Sequence, residues 1–267
     1  TSGVASKTAG EINSIWQSTV QELKANYNIA ITANARETMI NMLRGQFFTG
    51  TGGARYKNAV MITDLGDDVV GSDLFHKACE DENFVRLLKE SIEYGLYRYV
   101  TRYKADVHGR PFKLYAKYTY EDVCRLLDWG ENVVAQNIGG YKYNDRTKTF
   151  PIFINYHKEE GIADTIQYED RFINRRRLIG LSKNGRTENS KDVKTLLNAP
   201  QLGVTIELFV RKNKDDQGSK EFYYLGPMKP TGERESITMA AAKKSAVEIF
   251  YDLQIPVRED IYDYITG

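Results

Sequence analysis

Apolar positions along this chain follow two different periods, and the change of period divides it. In residues 73–103, Phe84, Leu87, Leu88, Ile92 and Leu96 recur at three- and four-residue spacing, which draws one stripe along a helix. Residues 11–25 (Ile12, Ile15, Trp16, Val20, Leu23) and 35–47 (Met39, Ile40, Leu43) repeat that pattern. The glycine cluster at residues 50–53 lacks the Lys-Ser/Thr that follows a phosphate-cradling loop, so it predicts a connector.

The pattern changes around His108, Gly109, Arg110 and Pro111. Thr119 to Asp122 has capping-box-like spacing ahead of Val123, Leu126 and Leu127, which predicts a short helix closed by Trp129 and Gly130. Beyond it the period becomes two. Residues 133–143, 150–156, 204–210 and 222–225 read as strands, with turn signals at Asn144-Asp145, 214–218 and 227–232. Residues 247–253 read as the last strand, after a short Ala-rich helical piece from Ile237. Short strands at this density predict a curved sheet or small barrel. The fold class is therefore α+β, a helical domain over 1–115 followed by a β domain over 116–267.

At 267 residues the chain is long enough for two cores, and 41% apolar with 27% charged residues is ordinary for a globular protein. No apolar run approaches the roughly 18 residues needed to span a bilayer, and the start lacks a signal-peptide core, which predicts a cytoplasmic protein with no membrane partner. The missing initiator Met suggests a piece of a longer polypeptide. Net charge is only +1, yet residues 171–187 hold five Arg and one Lys with no Asp or Glu. Positive charge is concentrated beside Tyr-rich strands, which pairs phosphate partners with stacking faces, the two requirements of a nucleic-acid site.

Catalysis finds little support. The three histidines have no second His or Cys at ligand spacing, and the two cysteines have no His pattern, so neither zinc nor a thiol nucleophile is expected. His-x-Lys and Glu-x-Lys nuclease signatures and a Walker motif are absent, and the pairs Glu159-Glu160 and Asp215-Asp216 lie in polar loops. No catalysis and no cofactor are expected in this chain.

Seven blocks remain informative in order: Tyr120 through Trp129, Gly140-Tyr141, Phe150 through Lys158, Tyr168 through Phe172, Leu181-Ser182 with Arg186-Thr187, Leu208 through Lys212, and Phe222 through Gly226. In that order and spacing, over about residues 118–265, they resemble the C-terminal domain of unknown function appended to restriction-type superfamily-two helicases, most closely that of SauUSI-like type IV restriction enzymes. The resemblance implies an SRA- or PUA-like β-barrel that reads 5-methyl or 5-hydroxymethyl cytosine in double-stranded DNA by flipping the base. It also implies an upstream nuclease and helicase motor in the same polypeptide, with ATP and Mg used only there, and makes residues 1–115 a helical coupler. Many relatives carry an aromatic residue two positions before the Ser of the Leu181-Ser182 block; here that position is Gly180.

Within this frame, Tyr141, Tyr156 and Tyr168 are candidate walls of a base pocket or ordinary sheet tyrosines packing on the core. Asp170 either accepts from the cytosine amino group or serves as a structural cap or ion-pair partner of Arg171. Ser182 and Thr187 bond phosphate or backbone, or simply make turns. Lys158, Arg175, Arg176, Arg177, Lys183 and Arg186 are candidate phosphate contacts, against a solvated charge run. Burying one methyl yields only about 0.8 kcal/mol, roughly a factor of four, so a useful reader must also penalise the unmodified base. Two alternatives to DNA reading stay open: an RNA-binding PUA-like barrel, and a structural interaction domain of a helicase.

Overall fold

The computed structural model describes residues 31–56, 59–65, 69–103, 111–133, 138–157, 170–213, 220–239 and 244–267, together with Gln21. The chain divides into two compact units, Thr1–Lys104 with Cys124–Val134, and Ala105–Val123 with Ala135–Gly267.

The first unit carries helices α1 (Ala33–Leu43), α2 (Gly50–Tyr56), α3 (Asp73–Ala78) and α4 (Glu82–Arg98), with an antiparallel ribbon of β1 (Ile62–Asp64) and β2 (Val69–Gly71). Side-chain oxygens satisfy the first amides of three helices: Thr32 accepts from Ala35 N, Ser72 from Phe75 N and Asp81 from Asn83 N. Helices thus appear where the spacing predicts them, ending at Leu43 rather than 47 in the first stretch and broken at 79–81 in the second; the 11–25 stretch, Gln21 apart, lies outside the described residues. Leu87, Ile92 and Leu96 of the α4 stripe are more than half exposed. The glycine cluster is not a loop but the start of α2. Thr49 is held by its hydroxyl on Asn132 O at 2.8 Å, and its carbonyl accepts from Gly53 N, so a tertiary anchor overrides weak local propensity.

The second unit is built on one curved mixed sheet. Its strands are β3 (Lys117–Tyr118), β4 (Thr149–His157), β5 (Arg171–Asn174), β6 (Arg177–Leu181), β7 (Thr205–Asn213), β8 (Phe222–Met239) and β9 (Lys244–Leu253). The path is β4-β7-β8-β9-β6-β5, with β3 pairing β8 at its start. β4 runs parallel to β7, and the other pairings are antiparallel. Helix α5 (Tyr120–Leu126) opens with the reciprocal bonds foreseen: Asp122 N donates to Thr119 Oγ1 and Thr119 N to Asp122 Oδ2, both at 3.1 Å. Helices α6 (Lys191–Leu197) and α7 (Glu259–Thr266), which strand periodicity did not foresee, lay Val193, Leu196, Ile261 and Ile265 onto the core.

Alternation places Ile206, Leu208 and Val210 of β7 on the inner face with Phe150, Ile152 and Ile154 of β4. The opposite face of β7 is buried as well. Phe209 stacks on Phe153 and meets Phe112 edge-on, while Glu207 accepts from the Tyr224 hydroxyl at 2.6 Å. The ends of the path, β4 and β5, meet through side chains. The Tyr156 ring packs 5.7 Å from Phe172, and Phe172 N reaches the Tyr156 hydroxyl at 3.4 Å. The sheet is therefore curled until its two edges touch, with a seam where a fully closed barrel would continue its ladder.

Three expectations are corrected here. Residues 138–143 do not form a strand: Gly139 and Gly140 sit at φ of +51° and +92°, and only isolated bridges, Tyr141 with Ile152 and Asn144 with Thr149, tie this segment to the outer edge of β4. Residues 227–232 are not a turn but the middle of β8, which changes partner from β7 to β9 there through an irregularity between Pro230 and Arg234. Ile237, read as helical, pairs with Ala246 inside the β8–β9 ladder, where cross-strand packing wins over local composition.

Candidate nucleic-acid interface

A cavity of about 450 Å³ opens along the seam. One wall is the edge of β4 at Ile152, Phe153 and Ile154; the other is Asp170 with Leu181, Ser182 and Lys183, where β6 ends. Asn184, Tyr141 and the two glycines before it complete the lining. Phe153 N donates to Gly140 O at 2.6 Å, which holds the glycine turn against β4 and carries Tyr141 to the cavity.

Three of the five base-pocket residues proposed from sequence, Tyr141, Asp170 and Ser182, meet here from separate parts of the chain. Tyr141 is almost fully buried and held at its hydroxyl from two sides, donating to Asp192 Oδ2 at 3.1 Å and accepting from Lys183 N at 3.0 Å. Burial pushes its phenol well up, only partly offset by the Lys183 amide, so the ring is a neutral, fixed plane. The Lys183 ammonium lies 4.8 Å from the ring centre. Asp170 does not pair with Arg171. Its Oδ1 accepts from Leu181 N at 2.7 Å, which fixes the carboxylate at the cavity wall, while Arg171 binds the buried Glu248 with two bonds of 2.7 and 3.0 Å. Ser182 belongs to the scaffold: its hydroxyl accepts from Val247 N at 2.8 Å and donates to Lys183 O, extending the β6–β9 ladder by one residue.

Tyr156 does not line the cavity; its ring is part of the seam closure and the core packing. Tyr168 and Lys158 lie outside the described residues. Gly180 is filled from the neighbouring strand, since a Cβ there would stand 3.0 Å from the buried Tyr251 ring.

The basic segment folds as the β5–β6 hairpin and the loop beyond it, which splits its cations into two groups. Arg175, Arg176 and Arg177 sit at the hairpin turn, four residues or about 13 Å along the strand from Leu181 at the cavity. Although no acid lies within the run, acids from β8, β9 and α7 compensate two of them. Arg177 pairs with Asp252 at 2.9 Å and Glu233 at 3.4 Å, and Arg175 bonds Val257 O at 2.7 Å with Glu259 at 3.7 Å. Arg176 is exposed, and its guanidinium makes no ion pair among the described residues. Lys183, which lines the cavity, and Arg186, three residues on, form the second group, and exposed Thr187 turns the chain into α6 with its N–H on Ser190 Oγ.

Asp192 is a site residue that sequence reasoning missed. It accepts from Arg186 Nε at 2.8 Å and from the Tyr141 hydroxyl on the same oxygen, and so links the cationic loop to the aromatic wall. Burial raises its carboxyl, but the Arg186 bond and charge and the Tyr141 hydroxyl outweigh that and hold it below the usual carboxylate range. The available signal was the spacing of Val193, Leu196 and Leu197, which marks a helix with Asp192 in its first turn.

Fold and site define an α+β protein whose curled sheet presents an aromatic, carboxylate-bearing cavity beside a cationic loop. The family described as a domain of unknown function (DUF3427) matches residues 112–265, more than half of the chain, and the chain belongs to that family. A second family, also described as a domain of unknown function (DUF8090), matches residues 11–103. No curated protein matches the chain. Among solved structures, the chain is similar to a SUVH5 SRA domain in complex with fully methylated CG DNA, at 14% identity over 58% of this chain and 95% of that one, with a TM-score of 0.36. It is also similar to KRYPTONITE in complex with mCHG DNA and SAH, at 11% identity over 70% of this chain and a TM-score of 0.37; there the match spans 41% of the other chain's length.

Proposed function

We propose that this chain reads 5-methyl or 5-hydroxymethyl cytosine in duplex DNA by receiving the extruded base in the seam cavity. The observation that carries the reading is the convergence of Tyr141 and Asp170 on one hollow of about 450 Å³, within the range of small-molecule sites and roomy enough for a single base. Tyr141 supplies a stacking plane, worth about 1–3 kcal/mol per base, against an extrusion cost of a few kcal/mol. Asp170 supplies an acceptor for the cytosine amino group. The apolar edge of β4 receives the C5 substituent. Cations at the cavity and on the hairpin, Lys183 and Arg176 foremost, hold the phosphate backbone.

By its resemblance to type IV restriction enzymes, the chain serves as the specificity module of an ATP-dependent nuclease motor in the same cytoplasmic polypeptide and carries no catalysis of its own. Equilibrium binding to duplexes that differ only at one cytosine, with structured RNA as competitor, tests the reading. Tighter binding of the methylated or hydroxymethylated duplex is expected. Equal affinity for all three duplexes would remove base reading, preference for RNA would favour the RNA-binding barrel, and no binding to either would favour a structural role.

A further inference from the structure

A second hollow of about 480 Å³ adjoins the seam cavity. It shares Tyr141 and Lys183 with the seam cavity, and its lining adds Lys142, Arg186 and Lys191. Against these four cations the lining holds one carboxylate, Asp192, already engaged by Arg186 and Tyr141. Nearby Asp145 is likewise taken, by Lys148 at 2.7 Å and the Tyr143 hydroxyl at 2.9 Å. Like charges gathered in a concavity repel one another, and the arrangement is stabilised when an anion enters. The Lys183 ammonium registers this: burial pushes its pKa down, Asp192 opposes, and the charges of Lys142 and Arg186 push it down further.

We infer that this hollow receives the phosphodiester flanking the extruded nucleotide, with Lys142 and Lys191 as its contacts. The inference rests on the base reading above, because that reading places the target nucleotide in the cavity that shares Tyr141 and Lys183 with this hollow. Base and phosphate then enter two hollows with a common wall, so the nucleotide is gripped by its two chemically distinct ends. Neither lysine touches the seam cavity. They add affinity for the backbone without adding discrimination between modified and unmodified cytosine.

Methylphosphonate substitution tests this, one phosphodiester at a time on either side of the modified cytosine, against the wild-type chain and the Lys142→Gln/Lys191→Gln variant. One position is expected to weaken wild-type binding about tenfold and to leave the variant unaffected, since the neutralised phosphate and the missing ammonium groups belong to one contact. The variant is also expected to lose about 0.9 from the slope of log K against log salt, for one phosphate, with its ratio of affinities for modified and unmodified duplex unchanged. Preference for the modified duplex without any position that couples to the two lysines would overturn the inference and leave the base reading standing. Coupling without such preference would do the reverse, removing the base reading and retaining a backbone phosphate site. If millimolar inorganic phosphate protects the two lysines from acylation while no duplex phosphate couples, the hollow takes a free phosphate and the inference fails.

Discussion

Tyr141 is useful to a base reader only while its ring stays fixed, and two polar contacts at its hydroxyl hold it. Tyr141→Phe keeps the plane and removes both anchors, leaving Asp192 and the Lys183 amide each one partner short. A stability loss of about 1 kcal/mol in thermal unfolding is expected, with a smaller effect on duplex affinity than Tyr141→Ala, which removes the stacking plane itself. Asp170→Asn retains an oxygen for Leu181 N but halves the acceptor capacity toward a base. In duplex titrations it is expected to lower the preference for modified cytosine about tenfold with little change in melting temperature. Asp192 ties the stability of the site to pH. Its folded pKa lies below the ordinary 3.8, so the unfolded chain takes up its proton first as pH falls. The stabilisation is fully present above about pH 5 and is lost through the depressed folded pKa. The fall in unfolding temperature across that window should shrink in Asp192→Asn. Arg186→Ala is not a pure phosphate change, because it also frees the carboxylate that positions Tyr141; it should therefore reduce both affinity and preference.

At the scale of elements, the site depends on a glycine turn laid against an edge strand. Gly140 holds φ of +92°, outside what an L side chain adopts easily, and its carbonyl accepts from Phe153 N. Gly140→Ala should cost about 1–3 kcal/mol in thermal unfolding and weaken duplex binding, since the strain is relieved only by moving Tyr141 off β4. The same turn explains why period two misled at residues 138–143. Alternation records which side faces the core, but two glycines at positive φ break the ladder into isolated bridges. Strands β4, β7 and β9 were legible because their inner faces are strictly apolar. Helices α6 and α7 were not, because each is only two turns long and offers too few apolar positions to stand out.

For the whole molecule, the decisive feature is the curl that brings β4 against β5. It turns residues about 30 positions apart in sequence into opposite walls of one cavity, and the basic run into two separate cationic groups. Six phosphate contacts, from Lys158, Arg175, Arg176, Arg177, Lys183 and Arg186, would give a slope of about −5 to −6 in log K against log salt. With Arg175, Arg177 and Arg186 held in ion pairs within the fold, three of those six remain; with the one phosphate assigned to Lys142 and Lys191, a slope of about −3.6 is expected when duplex affinity is measured from 50 to 300 mM salt.

What the chain's order of residues determined alone was the α+β division, the main strands, the capping of α5 and the concentration of positive charge, because each is written in local periodicity and composition. Which tyrosine faces a cavity, which arginines are neutralised and where Asp192 acts were decided only by the tertiary structure. Those outcomes depend on side chains brought together from distant segments by the closing of the sheet, a geometry to which no local pattern refers.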